Sequence, residues 1–243
     1  MRLERILLKI SGEALGRKGQ AAVDPQAADL MAEEVLAVHA RGIQVGVVIG
    51  GGNILRGALF SEAGTNRATA DQMGMLATVI NALTLSDALE RKGCGTRVLS
   101  AVEMNTVAEP FIRRRAIRHL EKGRVILLAG GTGNPYFTTD TAAALRAMEI
   151  GADALLKATK VDGVYDKDPK TNGDAKRFAQ LGFDEVLHRD LRVMDATAVT
   201  LCKENGLPIC VFDFFVKGNL DRIVCGEDLG TWVVPPEKEE EVR

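Results

Sequence analysis

The segment LLAGGTGNPYFTTDTAAALRA, residues 127–147, joins an apolar run to a glycine-rich turn and an alanine-rich helix. Backbone N–H groups in such a turn, together with the positive end of the helix dipole, favour an anion such as phosphate. The spacing is not that of a dinucleotide-binding loop, because Tyr136 occupies the position of the third glycine. It is not a Walker loop either, since Gly-Lys-Ser/Thr occurs nowhere in the chain. The segment therefore predicts an anion site of another design.

The helix in this segment begins with Thr138, Thr139 and Asp140. Capping of the helix N-terminus accounts for one of these polar residues and leaves two for other work. A carboxylate in the first turn stays ionised, because the helix dipole stabilises its charge. We therefore expect Asp140 to be an anion that orients Lys9 and Lys160.

A lysine interrupts the first apolar run of the chain, at RILLKISG. Burying an unpaired ammonium group is unfavourable, so Lys9 is expected to face an anion. The N–H groups of Ser11 and Gly12 would serve the same anion. The alternative is that Lys9 lies at the strand end and extends to water.

Three consecutive glycines, Gly50 to Gly52, follow the second apolar run. They cost backbone entropy on folding, which close approach of a ligand to the backbone would explain. Arg56 and Arg67 lie downstream, and arginine grips phosphate with two parallel hydrogen bonds. The alternative is a flexible turn between a strand and a helix.

The segment KATKVDGVYDKDP, residues 157–169, contains three lysines, among them Lys157 and Lys160, together with three carboxylates and one aromatic ring. Its glycine and proline exclude a helix, so we predict a strand followed by a loop. The segment is either a solvated surface loop or a clamp for a nucleotide. In a clamp, Lys157 and Lys160 would neutralise phosphate and Tyr165 would pack near the base.

The elements that must position these residues can be predicted from hydrophobic patterning. Continuous apolar runs, unlike alternating ones, indicate strands buried on both faces of a parallel sheet. They lie at 5–10, 43–49, 96–100, 124–129, 153–158 and 207–213. Helix patterns alternate with them, at 24–42, 69–92, 110–122, 139–150 and 195–205. This alternation predicts an α/β fold, a three-layer α/β/α sandwich with a mainly parallel central sheet. We expect a single domain over 1–235 and a disordered acidic tail over 236–243.

Bulk composition excludes several classes of function. The net charge of −2 does not suggest a nucleic-acid surface, and no apolar run approaches membrane-spanning length. Four scattered cysteines without a Cys-x-x-Cys pair fit a reduced, cytoplasmic protein. The three histidines are far apart in sequence, and we expect no metal site built from protein ligands.

Five segments taken together resemble the amino acid kinase superfamily, and within it the bacterial uridylate kinases. They are LLKISGEAL, GIQVGVVIGGGNILRG, DQMGMLATVINAL, GGTGNPYFTTDTAAALRA and LLKATKVDGVYDKDP. The resemblance implies transfer of the γ-phosphoryl group of Mg-ATP to UMP, giving UDP and ADP in pyrimidine nucleotide synthesis. It also implies a cytoplasmic homo-oligomer, a hexamer.

The resemblance further implies a set of site residues, carried over by motif. The catalytic residues it implies are Lys9, Arg56, Asp140 and Lys160. Those implied to contact ATP are Lys9, Ile10, Ser11, Gly12, Gly52, Arg56, Thr159, Tyr165 and Asp168. Those implied to contact UMP are Gly51, Asp71, Thr132, Gly133, Asn134, Pro135, Tyr136, Phe137, Thr138 and Thr139.

Cofactor and effectors follow from the same resemblance. Mg²⁺ would arrive with ATP and be held largely by phosphates and water. UTP is expected to inhibit by occupying the acceptor site. The stretch Arg17–Ala22 departs from the glycine-and-aromatic stretch of members that GTP activates, so the sequence leaves GTP activation open.

Two other functions remain as alternatives on the same fold. One is a kinase for acetylglutamate, aspartate or carbamate, which would need a carboxylate-binding set in place of GTGNPYFTTD and Asp71. The other is a non-catalytic nucleotide-binding or oxyanion-storage protein, of which the molybdenum storage protein is a relative. Loss of Lys9, of Asp140 or of the clamp at 157–169 would favour storage, and all three are present.

Overall fold

The structure is a computed structural model that describes residues 2–16, 23–55, 64–169, 171–191 and 193–236. Three features singled out in the sequence lie outside these ranges. They are Arg56, the stretch Arg17–Ala22 and residues 237–243 of the expected tail.

One sheet of nine strands forms the centre of the described part of the chain. The strands are β1 (Arg5–Ile10), β2 (Gln44–Ile49), β3 (Thr96–Ser100), β4 (Glu109–Pro110), β5 (Val125–Ala129), β6 (Ala154–Thr159), β7 (Gln180–Gly182), β8 (Ile209–Asp213) and β9 (Thr231–Val234). Their order across the sheet is β4-β3-β5-β2-β1-β6-β8-β9-β7. Every pairing is parallel except that of β8 with β9. The predicted mainly parallel sheet is therefore confirmed.

Helices connect the strands, and several of them begin at a residue whose side chain caps the helix. They are α1 (Pro25–His39), α2 (Arg67–Arg91), α3 (Arg113–Glu121), α4 (Thr139–Ile150), α5 (Phe183–His188), α6 (Ala196–Glu204) and α7 (Asn219–Val224), with a short 3-10 helix at Gly12–Leu15. Asp24 caps α1 as expected, accepting a hydrogen bond from Gln26 N, and Pro25 takes the first helical position. None of the helices in the described ranges has the length and apolarity needed to cross a membrane.

The helices cover both faces of the sheet, which gives the predicted three layers. Alternate strand residues point to opposite faces. On β1, Ile6, Leu8 and Ile10 pack with α1, α2 and α7, whereas Leu7 belongs to the cluster formed with α3, α4, α5 and α6. Both hydrophobic clusters consist of buried residues, so the central strands have apolar side chains on both faces.

The long predicted elements match the structure to within a few residues, and the short edge strands were missed. The unpredicted strands β4, β7 and β9 contain two, three and four residues. Runs of that length carry little periodicity, and their pairing depends on neighbours that are distant in sequence. They lie at or near the sheet edges, away from the strands that position the site.

The four central strands β5-β2-β1-β6 are consecutive in the sheet and parallel. Their carboxyl ends therefore meet at one edge. Gly130, Gly50, Ser11 and Lys160 are the residues that directly follow these strands. The motifs predicted from sequence are thus collected at the edge where open α/β sheets bind ligands.

Candidate functional site

Two lysines and one carboxylate form the centre of the site. Lys9 on β1 is the direct neighbour of Lys157 on β6, so both side chains leave the same face of the sheet. Lys9 Nζ lies 2.7 Å from Asp140 Oδ1, and Lys157 Nζ lies 2.9 Å from Asp140 Oδ2. The three side chains are at most 16% exposed. A single carboxylate thus holds two ammonium groups side by side.

Lys9, Asp140 and Lys157 form a triad, in which burial and neighbouring charges both shift the pKa values of Asp140 and Lys157. Burial alone would raise the pKa of Asp140, but the ammonium groups of Lys9 and Lys157 outweigh it and lower that pKa. The pKa of Lys157 is lowered, chiefly by burial. The positive charge of Lys9 also lowers it, whereas the negative charge of Asp140 raises it without offsetting the other two effects. Asp140 is therefore an anion at neutral pH and cannot donate a proton there.

The position of Asp140 follows from the start of α4. Thr138 is the capping residue, and its Oγ1 accepts hydrogen bonds from Asp140 N at 3.0 Å and Thr141 N at 3.3 Å. Asp140 lies in the first helical turn, where the helix dipole also favours a negative charge. The capping role of one threonine is confirmed, and Thr139 is left to line the neighbouring cleft.

A cleft of about 570 Å³, counting space open to solvent, lies on one side of the triad. Its walls come from the turn after β2, from α2 and from the loop between β5 and α4. The lining residues are Gly51, Gly52, Leu55, Ala70, Asp71, Gly74, Met75, Thr78, Gly131, Thr132, Asn134, Phe137, Thr138 and Thr139. We call it the acceptor cleft. Seven residues of the sequence-derived acceptor set line it: Gly51, Asp71, Thr132, Asn134, Phe137, Thr138 and Thr139.

Asp71 on α2 fixes the far side of the acceptor loop. Its Oδ2 accepts two hydrogen bonds, one from Tyr136 N at 2.8 Å and one from Arg67 Nε at 2.9 Å. Tyr136 has φ 73°, a left-handed conformation that is uncommon for a residue with a side chain. Its side chain is exposed and, like Gly133 and Pro135, does not line the cleft. Tyr136 therefore shapes the loop through its backbone.

The glycines of this region are required partly by packing within the protein. A Cβ on Gly51 would lie 2.8 Å from Gly74 O, and one on Gly12 would lie 2.3 Å from Gly50 O. A Cβ on Gly52 would meet only Glu13 Cγ, at 3.9 Å. Close approach of backbone to backbone explains Gly12 and Gly51, whereas Gly52 has room for a Cβ and lines the acceptor cleft.

A buried pair of asparagines holds the turn after β2 and was not identified from the sequence. Asn81 Nδ2 donates to Asn53 Oδ1 at 2.7 Å and to Gly50 O at 2.6 Å, and Asn53 Nδ2 returns a bond to Asn81 Oδ1 at 3.1 Å. Thr78 on the same helix accepts from Gly130 N at 2.9 Å. Helix α2 thus fixes both glycine turns, and the amide of Asn81 among the apolar residues of VINAL was the available signal.

Two adjoining cavities lie on the other side of the triad, and we call them the donor pocket. The first is lined by Lys9, Ile10, Ser11, Glu13, Ala14, Lys157, Ala158, Thr159, Lys160, Phe214 and Phe215. The second includes Lys157, Thr159, Tyr165, Asp168, Arg189, Asp190, Leu191 and Val193. Thr159, Tyr165 and Asp168, expected to bind adenosine, are therefore collected in one cavity next to the lysines.

Lys160 does not contact Asp140, contrary to the expectation from sequence. Its ammonium group is 4.0 Å from Glu13 Oε2 and 5.8 Å from the centre of the Phe215 ring, and its side chain is 62% exposed. Lys160 follows the last residue of β6 and so is not on the buried sheet face. Lys157 takes the position beside Asp140, because it is the register neighbour of Lys9.

The carboxylate at the centre of the site, Asp140, is bound to ammonium groups. Among the described residues, no three His, Cys, Asp or Glu side chains are arranged to hold a metal ion. Both oxygens of Asp140 are in contact with lysines. The carboxylate at the centre of the site is thus engaged by two ammonium groups.

The fold and site define a class of protein. A buried carboxylate aligns two cations between two pockets, and cations held between two ligand sites are the charge arrangement that phosphoryl transfer needs. In agreement, the model of the amino acid kinase family matches residues 4–213. The chain belongs to the amino acid kinase family.

Within this family, the chain is similar to solved structures of UMP and uridylate kinases. The chain is 39% identical to a UMP kinase from Bacillus anthracis, with a TM-score of 0.95 over 97% of this chain and 98% of that chain. A UMP kinase from Ureaplasma parvum is 37% identical, with a TM-score of 0.90 over 96% of this chain and 100% of that chain. A uridylate kinase from Archaeoglobus fulgidus is 28% identical, with a TM-score of 0.72 over 94% of this chain and 99% of that chain.

Proposed function

We propose that the protein transfers the γ-phosphoryl group of Mg-ATP to UMP, giving UDP and ADP for pyrimidine nucleotide synthesis. Similarity to UMP kinases along almost the whole of both chains supports this acceptor. The same similarity, at 39% and 37% identity, disfavours an amino-acid or carbamate acceptor. The buried Lys9–Asp140–Lys157 triad favours catalysis over storage.

One observation carries the proposal: the Asp140 carboxylate lies where the acceptor cleft and the donor pocket meet. Thr139, its neighbour in sequence, lines the acceptor cleft, and both lysines that it contacts line the donor pocket. Two polyanions brought together here would repel each other unless cations lay between them. Lys9 and Lys157 provide that charge, and Asp140 fixes where it is placed.

The transfer step is a displacement at phosphorus. A 5′-phosphate oxygen of UMP forms a bond to the γ-phosphorus, and the bond from that phosphorus to the bridging oxygen of ADP breaks. The second pKa of a phosphate monoester is about 6, so the acceptor is mainly dianionic at pH 7 and needs no general base. Ionised Asp140 is therefore proposed to position the lysines. The lysines stabilise charge on the transferred group.

The remaining site residues keep the roles that the resemblance implies. Most of them line the corresponding pocket, but Gly133, Pro135 and Tyr136 do not line the acceptor cleft, and Gly52 lines that cleft and not the donor pocket. On the donor side, the proposed ATP contacts are Lys9, Ile10, Ser11, Gly12, Gly52, Thr159, Tyr165, Asp168 and, outside the described residues, Arg56. On the acceptor side, the proposed UMP contacts are Gly51, Asp71, Thr132, Gly133, Asn134, Pro135, Tyr136, Phe137, Thr138 and Thr139. Lys160 is proposed to contact phosphate from the exposed side of the donor pocket.

Mg²⁺ is the proposed cofactor, carried by ATP. When bound, it neutralises phosphate charge and favours departure of ADP. Lys9 and Lys157, placed beside the donor pocket, would flank the phosphates that hold it.

A cytoplasmic homo-oligomer, a hexamer, is the proposed assembly, with residues 1–235 as one domain. Strands from both ends of the described chain share one sheet, which supports a single domain. Leu76, Ile80 and Leu83 form an exposed apolar stripe on α2, which supports association between copies. UTP is the proposed inhibitor, since it shares the uridine part of the acceptor.

An acceptor panel tests the function. ADP release from ATP and Mg²⁺ is measured with UMP, AMP, acetylglutamate, aspartate or carbamate, and with GTP or UTP added. We expect turnover with UMP and inhibition by UTP. Turnover with an acylamino acid and none with UMP would assign a different kinase, and saturable ATP binding without any turnover would assign storage.

A further inference from the structure

The carboxylate of Asp195 joins the N-termini of two helices. Asp195 caps α6 by accepting from Ala198 N at 2.9 Å. The same carboxylate accepts hydrogen bonds from Thr141 Oγ1 at 3.0 and 3.1 Å and from Thr138 Oγ1. Capping needs only the first of these bonds. The other contacts tie α6 to the residues on either side of Asp140.

The segment that leads to Asp195 also contacts the donor side. Arg189, Asp190, Leu191 and Val193 line the donor pocket. Val193 O accepts a hydrogen bond from Lys157 Nζ, the same ammonium group that contacts Asp140. One short segment is therefore bonded to a lysine of the donor pocket and, through Asp195, to the loop that closes the acceptor cleft.

We propose that Asp195 is a positioning residue that couples occupancy of the donor pocket to the geometry of the acceptor cleft. The inference rests on the proposed function and extends it to a residue outside both predicted substrate-binding sets. When a nucleotide contacts the pocket-lining residues Arg189, Asp190, Leu191 and Val193, the bonds from Asp195 to Thr138 and Thr141 transmit that contact to the acceptor loop. Asp140 lies between the two bonded threonines and is fixed by the same contacts.

The geometry favours coupling over a purely structural role. The Thr138 hydroxyl oxygen accepts hydrogen bonds from two backbone N–H groups of α4, and its O–H donates a hydrogen bond to Asp195. Replacing Asp195 by Asn retains the cap but introduces an N–H donor opposite two hydroxyl groups. The variant should therefore keep α6 and lose the link between the helices.

The experiment uses Asp195→Asn and Thr141→Val, which change the two ends of the link without altering size. Asp24→Asn is the matched control, since Asp24 caps α1 through Gln26 N. UMP affinity is measured by calorimetry with and without a non-hydrolysable ATP analogue and Mg²⁺. Thermal unfolding of each variant reports any structural damage.

In the wild-type protein, the analogue should strengthen UMP binding by about fivefold or more. Both link variants should reduce this ratio towards one, while Asp24→Asn retains it. A wild-type ratio of one, retention of the ratio in both link variants, or equal loss in Asp24→Asn would overturn the proposal. If Asp195→Asn does not fold, Thr141→Val alone decides.

The acceptor panel separates this outcome from the proposed function. If the wild-type protein uses another acceptor, the affinity ratio is measured for that acceptor. Coupling that is lost in the link variants would then support the role of Asp195 while the assignment of UMP failed. If UMP is turned over but the link variants keep the wild-type ratio of UMP affinities with and without the analogue, the proposed function is supported and the role of Asp195 is refuted.

Discussion

Lys9 Nζ and Asp140 Oδ1 are 2.7 Å apart in a nearly buried ion pair. Lys9 comes from the first strand, and Asp140 from the helix that follows β5. The pair fixes an ammonium group at the boundary between the acceptor cleft and the donor pocket.

Lys9→Ala should lower kcat by about 10²-fold or more, because it removes a cation that stabilises the transferred group in the transition state. UMP binding should change little, since Lys9 does not line the acceptor cleft. Steady-state kinetics with varied UMP measures both. Lys92→Ala, which removes a cation paired with Glu33 on the surface, is the control. A raised UMP KM with unchanged kcat would contradict this role of Lys9.

Lys157→Met and Lys160→Met should have different kinetic effects. Lys157 contacts Asp140, so its loss should lower kcat by about 10²-fold. Lys160 is exposed and apart from Asp140, so its loss should mainly raise the KM for ATP. Parallel assays with varied ATP distinguish the two. If Lys160→Met lowered kcat and Lys157→Met did not, the sequence-based expectation that Lys160 acts beside Asp140 would be correct.

Asp71→Ala should raise the KM for UMP by about tenfold with a smaller change in kcat, because it releases the acceptor loop at Tyr136 N. The matched control is Asp87→Ala on the same helix. Asp87 pairs with Arg91 just as Asp71 pairs with Arg67, four residues apart, but away from the cleft. Equal effects of the two substitutions on UMP KM would show that only helix stability had changed.

Asp140→Asn should destabilise the protein by about 3 kcal/mol at pH 7, because it leaves two buried ammonium groups without their anion. The pKa of Asp140 is lowered in the folded state, so its stabilisation is present above the unfolded value of about 3.9. That stabilisation is lost as pH falls further, through the folded pKa. The difference between wild type and variant should thus shrink below about pH 4.

Urea unfolding at a series of pH values measures this difference. Asp184→Asn is the control, since Asp184 pairs with Lys203 at an exposed position, where solvent screens the interaction. A stability difference for Asp140→Asn that stays constant down to pH 3 would contradict the proposed charge state of Asp140.

The sequence by itself determined the layers of the fold and the edge at which the site forms. Continuous apolar runs such as 5–10 and 124–129 specify strands buried on both faces, and that property is local to each run. Capping by Asp24 and by Thr138 could be predicted because both bonds join residues two or three apart. The glycine turns were likewise visible as motifs.

Only the tertiary structure decided which residues meet. Lys157 and Lys160 are equivalent by type and close in sequence, and strand register alone places Lys157 beside Lys9. The predicted helix at 195–205 begins at Asp195, but the bonds of this residue to Thr138 and Thr141 depend on how α4 and α6 pack. The physical reason is that sequence patterns report local backbone preference and burial, whereas contacts between distant side chains are fixed by strand order, register and helix packing.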